Sequence, residues 1–399
     1  MRALLFERNL ARYAAARVAG SLASGLGARV GPLTLTETDD PDLPGPGWVR
    51  VRPRLAGICG SDLATVDGKS SRYFEPLVSF PFVPGHEVVG ELANGRRVVL
   101  EPVLGCAARG VDPPCRGCAD GRLDCCERIA FGHLEPGLQT GYCADTGGGW
   151  STGLVAHESQ LHPVPEGMSD EAAVMVEPAA CAVHGVFNAG VEALDGATVL
   201  VLGAGTLGLC AIASLGAHAR PGTVVAVAKH PEQRRLAAAL GADVVVGPAE
   251  TRRAMRRLTG SLRVGGGLSG GADVVIDCVG TESSLADDLA VVRPGGLVCL
   301  LGMPSIVTVD MTPLWQRQVT LRGSYAYGRE GPGLRAPNAA ADRRTFDLAF
   351  ELVAEAGLDR LVSATYPLDR YREAIDHAAN AGRRGAVKVA FDLRGEKHR

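Results

Sequence analysis

Aromatic residues make up only 5% of the chain, and positive charge is not in excess: the 399 residues carry a formal net charge of −3. That sign offers no basic field for nucleic acid. Arg252, Arg253, Arg256 and Arg257 read as one solvated helix face. The opening MRALLFERNL has too short an apolar core before Glu7 and Arg8 for a secretory leader. No internal repeat is present, and the one low-complexity tract is SLRVGGGLSGGAD near Gly265. Uninterrupted apolar runs are wanting too. TVLVLGAGTLGLCAIASLGAH, Thr198 to His218, is long enough to raise the membrane question, but its four glycines separate a β-branched half from an Ala/Leu half. It reads as buried strand, turn and helix. The expectation is a cytoplasmic chain with neither nucleic acid nor membrane as partner.

What is present is a globular composition, 46% hydrophobic and 21% charged, with 52 glycines and 24 prolines marking many turns. A chain of this length passes the size at which single cores stop growing, so two domains are expected. Up to about Val164, short apolar runs such as WVRVRPRLAG and RRVVLEPV suggest a mostly β domain. SDEAAVMVEPAACAVHGVFNA, Ser169 to Ala189, reads as helix with Ser169 as N-cap and a break near Pro178, bridging two domains. From Gly196 to about Leu321 strands alternate with helices, which predicts an α/β unit with a doubly wound parallel sheet. The expected divisions are 1–180, 181–321 and 322–399. The last segment could form a small unit of its own or return to the first domain.

Five of the 11 cysteines fall in CAARGVDPPCRGCADGRLDCCE, Cys106 to Glu127. In a reducing compartment clustered thiols read as metal ligands rather than disulfides. Cys115, Cys118 and Cys126, with Cys106 upstream, suit a closed tetrahedral Zn²⁺ shell with no room for substrate, hence a structural metal. Cys125, beside Cys126, leaves the last ligand open. GAGTLG, with Gly203, Gly205, Thr206, Leu207 and Gly208, follows the strand TVLVL and heads a helix, the setting for a dinucleotide pyrophosphate. The next strand ends in Ala228, Lys229 and His230. No carboxylate is there for a ribose 2′-hydroxyl, and Lys229 with His230 suits a 2′-phosphate, so NADP is favoured over NAD. GICGSDL (Gly57 to Leu63) and PGHEVVG (Pro84 to Gly90) are Gly-flanked turns offering Cys59, His86 and Glu87. Taken singly, Cys59 reads equally as a buried hydrophobe and His86 as a core histidine.

The order GICGSDL, PFVPGHEVVG, cysteine loop, VEPAACAVH, GAGTLG resembles the zinc-dependent medium-chain dehydrogenase/reductase family, near its polyol and sugar dehydrogenase branch, over almost the whole chain. The resemblance implies a GroES-like catalytic domain that the C-terminal tail rejoins, an inserted Rossmann domain, and an active site in the cleft. It also implies hydride transfer between a secondary alcohol and NADP or NAD, reversible to ketone reduction. By motif, Cys59 and His86 match catalytic zinc ligands, and Glu87 matches a ligand of the polyol branch. Glu177 stands where the alcohol branch has a third, cysteine ligand. One thiolate and one carboxylate balance Zn²⁺, so Glu87 or Glu177 is expected to be bound in a given state. Asp62 would hydrogen-bond His86, and Ser61 would pass the hydroxyl proton onward.

This chain departs from the family twice. Eight residues separate Cys106 from Cys115, a longer gap than the family's. Ala64 stands where the alcohol branch has a relay histidine, so proton exit needs another route. The resemblance implies about two zinc ions per chain, one catalytic and one structural, a small alcohol or ketone as substrate, and a homodimer or homotetramer. KSSRYFEPLVSF and the stretch Tyr325 to Arg329 would shape specificity. The rival readings are a zinc-free quinone-type reductase of the same fold and a catalytically idle NADP-binding or structural protein.

Overall fold

The β-branched and alternating stretches form strands in the computed structural model, which describes residues 1–331 and 342–396. The chain divides into two units: Met1–Glu177 with Gly357–Arg399, and Pro178–Ala356.

The first unit is built on a seven-stranded sheet running Val362–Tyr366, Lys388–Asp392, Trp48–Gly57, Val88–Glu91, Arg97–Leu100 and Leu161–Pro163, with Leu154–His157 also paired to Trp48–Gly57. The long strand Trp48–Gly57 alternates as its sequence predicts: Val51, Pro53 and Leu55 are buried, while Arg50 and Arg52 face water. Its inward face joins a core containing Phe82, Trp150 and Phe391, where each large apolar side chain contributes about 1.5–3 kcal/mol. The closing strand Lys388–Asp392 lies antiparallel to it, Phe391 opposite Ala56. One helix here, Leu10–Leu22, was not expected in a mostly β segment. Asn9 caps it by accepting from the Arg12 N–H at 3.0 Å.

Ser169 is the N-cap expected, accepting from the Ala172 N–H at 3.1 Å. The break expected near Pro178 lies instead between the helices Asp170–Ala173 and Val176–Asn188. Pro178 sits in the first turn of the second helix, where a missing N–H leaves no bond unmade.

The second unit carries a six-stranded, wholly parallel sheet in the order Val244–Val246, Thr223–Val227, Thr198–Leu202, Ala272–Asp277, Val292–Leu300, Thr320–Gly323. The strand order reverses beside Thr198–Leu202, the switch point at which such sheets bind nucleotides. Thr198 to His218 is the strand Thr198–Leu202 followed by the helix Thr206–His218. Among the described residues no helix is long and apolar enough to cross a membrane. The return to the first unit, expected at residue 322, begins at Gly357. Thr320–Gly323 completes the parallel sheet, and the helix Thr345–Ala356 buries Phe346, Leu348, Leu352 and Val353 in the same unit.

Candidate active site and metal centres

Cys59 follows the strand Trp48–Gly57 and caps the short helix Gly60–Val66, its N–H donating to Asp62 Oδ2 at 3.0 Å. His86 and Glu87 directly precede the neighbouring strand Val88–Glu91, and the Gly57 N–H donates to the Glu87 carbonyl at 2.8 Å. Sheet pairing therefore brings the two motifs together. The turn requires Gly85, at φ +98°, where a Cβ would sit 2.4 Å from the Trp150 ring. The ligand atoms of Cys59, His86 and Glu87 all lie within 4.8 Å of one another. Bonds of about 2.0–2.3 Å to one zinc ion fit that span.

The electrostatics also fit a cation. Burial alone would push the His86 pKa down, yet Asp62 and Cys59 hold it well above the usual imidazole range. Asp62 Oδ1 is 3.4 Å from His86 Nδ1. The expected hydrogen bond is not aligned there, since that buried nitrogen makes none, and the contact is electrostatic. The Tyr142 ring lies 6.1 Å from the His86 ring. Burial, and next the charge of Asp62, pushes its phenol pKa up.

One residue of this site was not expected. Lys388 Nζ donates to Glu87 Oε1 at 2.6 Å and Oε2 at 2.5 Å, and its amine also reaches the Ile58 carbonyl at 3.4 Å. Burial would lower its pKa, but Glu87, Cys59 and Glu177 together raise it. Glu177 is buried and close enough for Lys388 to feel its charge. It stands outside the close group of ligand atoms that Glu87 joins.

Cys106, Cys115, Cys118 and Cys126 converge likewise, with all four sulfurs within 4.8 Å of one another. The Cys126 sulfur is 3.9 Å from that of Cys106 and 4.0 Å from that of Cys115, near the ~3.8 Å edge of a tetrahedron with ~2.3 Å Zn–S bonds. Backbone N–H groups of Cys115, Glu127 and Arg128 donate to the sulfurs of Cys106, Cys115 and Cys126. Burial pushes Cys126 up to about 11, while those of Cys118 and Glu127 help draw Cys115 down to about 7 against its own burial. Four such thiols ionise together when a dication balances them. Cys125 is exposed and bonds Asp124 instead, so Cys126 supplies the fourth sulfur. Cys106 closes the group across its longer gap because Arg109, within that gap, anchors the loop. Its buried guanidinium donates to the carbonyls of Leu104 at 3.0 Å, Phe131 at 3.1 Å and Gly137 at 2.6 Å.

In the second unit Gly203 turns the chain at φ +93°, and a Cβ on Gly208 would lie 1.8 Å from the Gly203 carbonyl oxygen. The helix Thr206–His218 starts at Gly205 with no side chain capping it, which leaves the first-turn amides, those of Thr206 and Leu207 among them, to an anion. Beyond Thr223–Val227, Lys229 is exposed and His230 caps the helix Pro231–Ala239. Arg234, one turn on, was not anticipated. Its Nε donates to the Ala228 carbonyl at 3.0 Å, which sets a second cation at the end of this strand.

Residues 45–166 match the family described as "Alcohol dehydrogenase GroES-like domain", and residues 206–336 match "Zinc-binding dehydrogenase". The chain is 30% identical over 365 residues to a sorbitol dehydrogenase of Arabidopsis thaliana, covering 88% of this chain and 89% of the relative. It is 27% identical over 362 residues to an L-idonate 5-dehydrogenase of Vitis vinifera, at the same coverages. Among solved structures it resembles a zinc-binding dehydrogenase of Sinorhizobium meliloti 1021 bound to NADP, with TM-score 0.70, 23% identity and 98% of each chain covered. That last likeness is one of fold: a GroES-like domain and a Rossmann domain.

Proposed function

Since the chain belongs to the zinc-dependent medium-chain alcohol dehydrogenase family and is an NAD(P)-dependent alcohol oxidoreductase, we propose that it interconverts a polyol-type secondary alcohol and its ketone, using NADP. The observation that carries this reading is the Cys59, His86 and Glu87 group backed by Lys388. The names of its sorbitol and idonate relatives support the substrate class, and a sugar or biosynthetic alcohol falls within it.

In this reading Cys59, His86 and Glu87 hold the catalytic zinc, and Cys106, Cys115, Cys118 and Cys126 hold a structural one. A zinc ion at the first site supplies Lewis acidity, and the drop it gives bound water, from about 15.7 to about 7, is worth roughly 12 kcal/mol. Lys388 resolves the charge problem that two nearby carboxylates pose. With one thiolate, Glu87 and Glu177 ionised and Lys388 protonated, a dication leaves the site neutral, so neither carboxylate has to be protonated or expelled. Ser61 accepts the alcohol proton. The turn at Gly203, Gly205, Thr206, Leu207 and Gly208 holds the pyrophosphate, which orients the nicotinamide for hydride transfer. Lys229, His230 and Arg234 meet a 2′-phosphate, supported by the lack of a carboxylate at that strand end. A reducing cytoplasm suits the thiol cluster, and a homodimer or homotetramer completes the reading, to be tested by light scattering.

The experiment is a screen of polyols, sugars and ketones against NADP and NAD. Turnover of a secondary polyol with lower KM for NADP than for NAD is expected. Turnover restricted to quinones, insensitive to chelators, would overturn the reading.

A further inference from the structure

Ala64 leaves the alcohol proton without an imidazole to leave by. Resting on the functional reading above, we propose that four hydroxyls, Ser61, Tyr142, Thr65 and Ser70, form the route by which that proton reaches solvent.

The geometry runs in sequence. Ser61 lies two residues past Cys59, near enough for its hydroxyl to act on the Tyr142 phenol. Tyr142 is buried, with ring centroids 5.4 Å from Phe82 and 6.1 Å from His86. Its oxygen is 3.3 Å from Thr65 Oγ1. Thr65 is one helical turn past Ser61 and equally buried, and its Oγ1 is 2.9 Å from Ser70 Oγ. Ser70 is half-buried beside the exposed Lys69, so the row that begins next to the zinc ligands ends at water. A hydroxyl both donates and accepts, so each oxygen passes one proton on as it takes another.

Written as a balance, the alcohol O–H bond breaks and its proton joins Ser61 Oγ. The Ser61 proton goes to Tyr142, the Tyr142 proton to Thr65, the Thr65 proton to Ser70, and the Ser70 proton to water. The substrate's C–H electron pair leaves as hydride to the nicotinamide, and every relay oxygen ends with one proton. Thr65, which also donates to the Ser61 carbonyl at 3.0 Å, turns to Ser70 for its step. Ketone reduction runs the row backwards. The other polar neighbour, Asp62, also accepts from the Tyr142 hydroxyl, at 3.5 Å to Oδ1, but is a dead end: it is fully buried, with Oδ2 engaged by the Cys59 N–H and Oδ1 facing His86, so Tyr142 turns to Thr65 for its step.

The test compares Tyr142→Phe, Thr65→Val and Ser70→Ala with the zinc-loaded wild type, on an alcohol it oxidises. We expect kcat to fall about tenfold to a hundredfold, with KM for the alcohol and zinc content unchanged. The solvent deuterium isotope effect on kcat should rise, Thr65→Ser should restore the rate, and the Tyr142→Phe/Thr65→Val pair should lose no more than either single change, as steps in series require. A second readout needs no turnover: in the zinc-free chain carrying ζ-¹³C tyrosine, Thr65→Val should shift the Tyr142 resonance. Unchanged kcat and isotope effect in all three variants, or an unmoved resonance, would overturn the route while leaving the dehydrogenase reading intact. A wild type that oxidises no alcohol at all would overturn that reading, and the route with it.

Discussion

Lys388 Nζ lies 2.5 Å from Glu87 Oε2, and both side chains are only 2% exposed. A buried pair this close is costly to break from one side, by about 3–5 kcal/mol, because the remaining charge is left unpaired. Lys388→Met should therefore destabilise the zinc-free chain by roughly that amount, and added zinc should recover most of it by neutralising Glu87. The pH dependence has a definite sign. The folded pKa of Lys388 is raised, so its contribution is present below the unfolded value of about 10.4 and is lost as pH climbs through the higher folded one. Denaturant titrations of zinc-free protein should show this alkaline loss in wild type and not in Lys388→Met. Equal stability of the two at neutral pH would contradict the pair's role.

The cysteine loop makes a prediction that separates neighbouring thiols. Cys106→Ser and Cys126→Ser each remove a sulfur from the converging group and should release about one zinc per chain and lower Tm. Cys125→Ser should do neither, because Cys125 points to Asp124 at the surface. Metal analysis beside thermal melts checks all three. Zinc loss from Cys125→Ser alone would show that the shell closes through the other sulfur.

A buried carboxyl group in the nucleotide-binding unit supplies the third. Asp288 is fully buried and neither of its oxygens makes a hydrogen bond. Ser284, one helical turn before it, donates to Asp277 Oδ2 at 2.8 Å, and the charge of Asp277 acts on Asp288. Asp277 also accepts from the Val279 and Gly280 N–H groups. Burial, then Asp277, then Asp287 hold the Asp288 pKa well above the carboxylate range. An acid with a raised folded pKa keeps its stability below the unfolded value, near 3.9, and loses it as pH rises toward the folded one, by about 1.4 kcal/mol per pH unit. Asp288→Asn should remove that slope and melt higher than wild type above neutral pH. Parallel melting curves from pH 5 to 9 would refute it.

Cofactor choice is tested at Lys229 and Arg234. Changing each to Ala should raise KM for NADP about tenfold, the scale of one charge-assisted bond, and leave KM for NAD nearly constant. Equal effects on both cofactors would place these side chains away from the 2′-phosphate.

The parts of the site legible in the sequence are those whose residues lie close together along the chain: GAGTLG between its strand and helix, the clustered thiols, and the flanked turns holding Cys59 and His86. The resemblance supplied their assembly. Lys388 was not legible, because AVKVAFDL reads as an ordinary closing strand with one polar side chain, and its partner Glu87 is 301 residues away. Only the antiparallel pairing of Lys388–Asp392 with Trp48–Gly57 brings them together. Tyr142 was hidden for the same reason: nothing local distinguishes a phenol that will meet Thr65. The helix Leu10–Leu22 escaped because a turn-rich, strand-bearing context overrode an Ala-rich run. The later return at Gly357 follows from a sixth parallel strand, whose pairing partner no local pattern identifies.

The central claim is that the chemistry rests on Cys59 and not on the crowded thiols. Zinc content and alcohol-dependent reduction of NADP, measured together on wild type and Cys59→Ser, test it most directly. About two zinc ions per chain are expected in wild type. In Cys59→Ser about one zinc should remain, and turnover should fall at least about a thousandfold. A Cys59→Ser chain that keeps wild-type zinc content and turnover would contradict it.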